Sequence, residues 1–176
     1  MPHPKLTRAA STSGANYRHP EGGFVLKITG AEDHESDGYV GIEYDIAEGD
    51  HAGHYEYACD FRRYYQSSYE GATPFEKFMS AVEESNPGFD LDKWQESWDC
   101  SKLEGLLVGA VFKKRMYTDD KGNDREQPRL TYCCSVDSIR AGRFRVPDPV
   151  DERVTVVEFG DLMPLGATLT DDDIPF

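Results

Sequence analysis

The sequence has little of what membrane, secreted and disulfide-built proteins need. No apolar run approaches the ~20 residues of a membrane span. The start, Met-Pro-His-Pro-Lys, has no apolar stretch behind its first basic residue, so no secretory signal is expected. Cysteines number four in 176 residues, and Cys59, Cys100, Cys133 and Cys134 fit neither a C-x-x-C zinc pattern nor a disulfide scaffold. Reduced thiols and a cytoplasmic location are the expectation. Cations are scarce too: 19 Lys and Arg face 33 Asp and Glu, a formal net charge of −14. As a sum, that charge opposes nucleic-acid binding, because a polyanion needs cationic contacts. There is no P-loop, no G-x-S-x-G, no G-x-G-x-x-G and no convincing nucleophile–base pair. We therefore expect no enzymatic activity and no cofactor.

What is present suits one folded domain with tails: 38% hydrophobic and 12% aromatic residues. Residues 1–21 are rich in Pro, Ser, Thr, Ala and Gly and read as a flexible arm. The domain follows over residues 22–147. Phe24, Leu26 and Ile28 alternate with Val25, Lys27 and Thr29, which is strand period. A second strand sets Val40, Ile42, Tyr44 and Ile46 on one face, and a third groups Tyr55, Tyr57, Cys59 and Phe61. The period then changes. Thr73-Pro74-Phe75-Glu76 is a capping box with proline at the first helical position, followed by Phe75, Phe78, Met79 and Val82 at helical spacing. Asn86-Pro87-Gly88 stops that helix, and Trp94 and Trp98 mark the buried stripe of a short second one. A long strand from Gly105 to Tyr117, a turn at 119–123 and a return strand from Leu130 to Val136 make a hairpin.

The order β-β-β-α-β-β predicts an all-β-dominated chain. It is the order of an OB-fold, a five-stranded, partly open barrel with one helix between strands three and four. The same helix argues against a β-sandwich. Residues 148–170 form an extension with an edge strand at Val154–Phe159, and residues 171–176 an acidic tip.

Charge is unevenly placed. From Gly30 to Phe61 there are ten acids and no Lys or Arg; from Gly105 to Arg145 nine bases stand against five acids. Three clusters pair cations with rings: Arg62, Arg63, Tyr64 and Tyr65; Lys113, Lys114, Arg115 and Tyr117; Arg140, Arg143, Phe144 and Arg145. Arg129 immediately precedes the return strand and Tyr132 lies on it. Cations that track phosphates beside rings on which bases stack are what single-strand binding requires. We nominate Arg62, Arg63, Tyr64, Tyr65, Lys113, Lys114, Arg115, Tyr117, Arg129, Tyr132, Arg143 and Phe144. Among the rings, Tyr132 is expected in the core and Tyr117, near the hairpin tip, at the surface. His51 and His54 have H-x-x-H spacing but sit in a turn without the helical glutamate of a zinc protease, so no metal is expected.

The chain ends Asp171-Asp172-Asp173-Ile174-Pro175-Phe176. Two apolar side chains, held apart by a proline and flanked by acids and a terminal carboxylate, suit a partner with an apolar pocket and a basic rim. This tip resembles the C-terminal tip of bacterial single-stranded DNA-binding proteins. The body, through Phe24-Val-Leu-Lys-Ile-Thr-Gly, Tyr39-Val-Gly-Ile-Glu-Tyr-Asp-Ile and Asp99-Cys-Ser-Lys-Leu-Glu-Gly, resembles phage-encoded members of that class with an OB-fold. The resemblance implies single-stranded DNA as ligand, without strong sequence preference, and host replication and repair proteins as partners of Asp171–Phe176. Unlike the bacterial proteins, the chain has no long Gly/Gln/Pro-rich linker before the tip. A homo-oligomer, with a dimer favoured, is the expected assembly. The rival readings are an acidic interaction module or DNA mimic, supported by the acid-only stretch, and a nuclease-like enzyme using clustered carboxylates.

Overall fold

Alternating apolar side chains make strands here because every second residue reaches one shared core. The computed structural model describes residues 19–56, 60–65 and 73–153. Its elements are β1 (Gly22–His34), β2 (Tyr39–Ile46), β3 (Asp60–Tyr65), α1 (Pro74–Ser85), α2 (Leu91–Ser97), β4 (Leu107–Thr118), β5 (Asp124–Cys134), α3 (Val136–Arg140) and β6 (Val150–Glu152). Strands β1 to β5 form one antiparallel sheet in the order β3-β2-β1-β4-β5. A register shift between Ile28 and Gly30 bends β1, which pairs with β4 from Gly22 to Lys27 and with β2 from Leu26 to His34. Short β6 pairs in parallel with β4 from Arg115 to Tyr117, beyond the part that β1 covers.

The sheet curls until its end strands meet through side chains. On β3, Arg62 Nη1 donates to the Leu130 carbonyl of β5 at 3.4 Å, and the Tyr64 hydroxyl bonds to the Cys133 thiol of β5. The result is a half-barrel, compatible with an OB-like fold. Its interior holds Leu26, Ile28, Val40, Ile42, Tyr44, Val108, Ala110 and Phe112 from the sheet. One end is closed by Phe75, Phe78, Met79 and Val82 of α1 with Trp94 of α2. A separate outer layer forms where α3 crosses β4: a Cβ on Gly109 would lie 2.7 Å from both Ile139 Cγ1 and the Ser135 carbonyl, so only glycine lets the helix sit this close.

Several elements differ from the sequence pattern. Tyr55 lies in turns before β3, which begins at Asp60, because Asp45 Oδ1 accepts from the Tyr55 amide and holds the chain in the loop. Both helices read from the sequence, α1 and the short α2, separate β3 from β4, where the OB-fold order has one. Trp94 is buried, but Trp98 ends α2 in a left-handed conformation (φ 48°) that leaves its ring 40% exposed, stacked on Phe75. The end of the N-terminal arm is not loose: His19 is buried against Phe24 and Phe112 and bonds Tyr55 Oη at 2.7 Å. His51 and His54, in the turn before β3, pack their rings around it. The described edge strand is β6, at Val150–Glu152. Residues 1–18, Val154–Phe159 and the tip Asp171–Phe176 lie outside the described residues. Among the described residues, no helix is long and apolar enough to cross a membrane.

Thr73 begins α1 with a reciprocal capping box: its side chain accepts from the Glu76 amide at 3.2 Å, and the Glu76 carboxylate accepts from the Thr73 amide. Thr73→Ala is expected to lower the unfolding free energy by about 1 kcal/mol, with Thr73→Asp restoring most of it, as read from urea midpoints.

Candidate nucleic-acid interface

Lys113 and Arg129 face each other directly across β4 and β5. Like charges opposite one another destabilise a sheet, and Lys113 has no ion-pair partner among the described residues to offset that. A cleft of about 570 Å³ opens beside them, between β5 and the β2–β3 edge. Tyr44, Arg62, Lys113, Gln127, Arg129 and Leu130 are among the residues lining it: three cations and no carboxylate. Pro128 also lines it; as a residue of the end strand β5, it interrupts no ladder by lacking an amide hydrogen. The cleft therefore offers guanidinium and ammonium donors to an anionic chain in a protein whose net charge is −14.

The nominated residues divide around this cleft. Arg62 reaches it from β3 with its guanidinium 5.2 Å from the centre of the Tyr64 ring. Tyr64 itself is 5% exposed, and burial pushes its phenol well above the usual range, so the ring belongs to the core. Arg115 and Tyr117 lie farther out on the hairpin, the guanidinium 4.9 Å from the ring centre. Arg115 and Arg129 are tied to each other through Glu152, at 2.6 and 2.9 Å.

The remaining nominees point elsewhere. Arg63 lies over Tyr39 at 4.9 Å, in a hollow it shares with Glu32, Glu43 and Glu104. Lys114 pairs with Glu126 at 3.5 Å in another hollow that also contains Glu21 and Asp124. Arg143 is exposed and does not line the cleft. The Phe144 ring covers Gly23 on β1, 2.6 Å from where a Cβ would stand. Tyr132 is half-buried; its hydroxyl donates to the Arg145 carbonyl at 2.9 Å and accepts from the Arg145 amide at 3.1 Å. The Tyr65 side chain lies outside the described part of the structure. The curl thus brings the first two basic clusters together at Arg62, Lys113 and Arg129, while the third packs against β1 and β5.

The hairpin that carries Arg115 and Tyr117 ends in a tightly bonded turn. The Asn123 amide, the Arg125 guanidinium and the Lys121 amide all donate to Asp119, whose carboxyl is held at about 2. Gln127, Leu130 and Glu152 are not marked by the sequence pattern. The first two have no charge or ring to single them out, and Glu152 is separated from its arginines by 37 and 23 residues. Among the described residues, no group of three or more His, Cys, Asp or Glu is placed to hold a metal ion. No protein-family model matches the chain, and no curated protein matches it.

Proposed function

We propose that this protein binds single-stranded DNA in the cleft between β3 and β5 and recruits partner proteins through Asp171–Phe176. The observation that carries the first part is the three-cation, carboxylate-free lining of that cleft in a strongly acidic chain. The curled sheet supports it, because an OB-like half-barrel with a projecting β4–β5 hairpin has its ligand surface on the β2–β3 side and along that hairpin. Arg62, Lys113 and Arg129 contact phosphates, and Tyr117 supplies a ring for a base. The second part rests on the tip's resemblance and its chemistry. Ile174 and Phe176 enter an apolar pocket while the aspartates and terminal carboxylate meet a basic rim. The hollow holding Glu32, Glu43 and Glu104 favours a second reading, an acidic module that occupies a partner's DNA site.

Oligo-dT and a duplex of equal length separate the two. The full chain is expected to bind oligo-dT in preference, with an affinity that falls as salt rises through counterion release. Absence of binding at low salt, or preference for duplex, removes the single-strand reading. A chain ending at Thr170 is expected to lose the partners captured from bacterial lysate by the full chain. Its oligo-dT affinity should be equal or higher, since fewer acids compete for the basic cleft. An unchanged set of captured partners would reject the role of the tip.

A further inference from the structure

A single carboxylate holds Arg115 of β4 and Arg129 of β5. Glu152 Oε2 accepts from Arg115 Nε at 2.8 Å and lies 2.6 Å from its Nη2, while Oε1 accepts from Arg129 Nη1 at 2.9 Å. Hydrogen bonding from Arg115, with both positive charges beside it, holds the Glu152 carboxyl below the usual carboxylate range. Two planar guanidiniums converging on one bridging oxyanion form the arrangement that recognises phosphate, through parallel charge-assisted N–H···O bonds. The seat is open to solvent: Arg115, Arg129 and Glu152 side chains are 29%, 53% and 36% exposed. It adjoins the cleft through Arg129, which lines both. The element that delivers Glu152 is slight. β6 has three residues, pairs with β4 alone, and is the last strand of the described chain.

We infer that Arg115 and Arg129 form a phosphate seat that Glu152 fills as a built-in substitute, and that a backbone phosphate of single-stranded DNA binds there by displacing this side chain. The inference rests on the single-strand reading proposed above and names one phosphate site within it. Its physical consequence is specific. An exposed carboxylate–arginine pair is weak, so an incoming backbone phosphate, which carries the same single charge and adds the neighbouring contacts of the same strand, replaces it. Because Glu152 already offsets one of the two positive charges, that exchange releases fewer counterions than binding to the bare arginine pair would. Removing the Glu152 charge should therefore raise both the affinity and its salt dependence.

The test compares oligo-dT binding by fluorescence anisotropy for the full-length wild type, Glu152→Gln, and Glu96→Gln, which removes the same charge from α2. Titrations run from about 50 to about 200 mM salt. Glu152→Gln is expected to bind ~3- to 10-fold tighter at low salt, with a log–log salt slope steeper by roughly 0.7, the single-strand value for one phosphate. Glu96→Gln should stay within about twofold of wild type. In an Arg115→Ala/Arg129→Ala background, the Glu152→Gln gain should vanish. Equal or weaker binding by Glu152→Gln, or an equal gain from Glu96→Gln, overturns the seat while wild-type binding leaves the single-strand reading standing. If neither wild type nor Glu152→Gln binds oligo-dT, that reading fails and the seat fails with it.

Discussion

A chain with Arg62, Lys113 and Arg129 all changed to alanine is expected to bind oligo-dT about a hundredfold more weakly than wild type at low salt. Each of the three lines the same cleft, which has no carboxylate in its lining. Taking one cation away from the phosphates of a single strand makes the log–log salt slope shallower by roughly 0.7, so three such changes should flatten it by ~2. The fold should persist. Lys113 lacks an ion pair among the described residues, Arg129 is half-exposed, and Arg62 contributes one long hydrogen bond between the end strands. The matching control changes Arg63, Lys114 and Arg143. It removes the same formal charge from positions outside the cleft, where Arg63 and Lys114 share hollows with acids. Affinity in that control is expected to fall several-fold less than in the cleft variant, since none of the three lines the cleft and the acids beside Arg63 and Lys114 already offset their charge. Similar losses in both triple variants would mean that net charge, and not this cleft, governs binding.

Tyr64→Ala is expected to lower the unfolding free energy by ~3–5 kcal/mol, the range for removing a large buried aromatic side chain. The ring is nominated by its sequence as a base-stacking surface, yet it packs against Phe75 and Phe78 at centroid distances of 5.4 and 4.9 Å. It is also covered by Arg62 and hydrogen-bonded to Cys133. Tyr64→Phe keeps the packing and loses one neutral hydrogen bond, so it should cost about 1 kcal/mol. Urea unfolding followed by intrinsic fluorescence separates the two variants. If Tyr64→Ala keeps the wild-type midpoint and loses only oligo-dT binding, the ring is a surface ligand contact and its place in the core is wrong.

What the sequence by itself determined is local. Strand period at Leu26, Ile28, Val40, Ile42 and Tyr44, the capping box at Thr73 and Glu76, and the stripe of Phe75, Phe78, Met79 and Val82 are properties of neighbours along the chain. A few residues of spacing suffice to express them. The alternating pattern misplaces the start of the third strand because Tyr55 continues it, while a hydrogen bond from ten residues away holds that residue in a loop. For the same reason the basic–aromatic clusters are legible as composition but not as a surface. Facing direction across a curled sheet depends on register, bulge and curl, none of which is written in adjacent residues. Only the tertiary structure decided that Arg62 meets Lys113 and Arg129, that Tyr64 turns inward, that Phe144 covers Gly23, and that Glu152 reaches back to two arginines. Charge acts through space: its partners are fixed by which strands lie side by side, and here β3 and β5 approach each other only because the sheet between them bends.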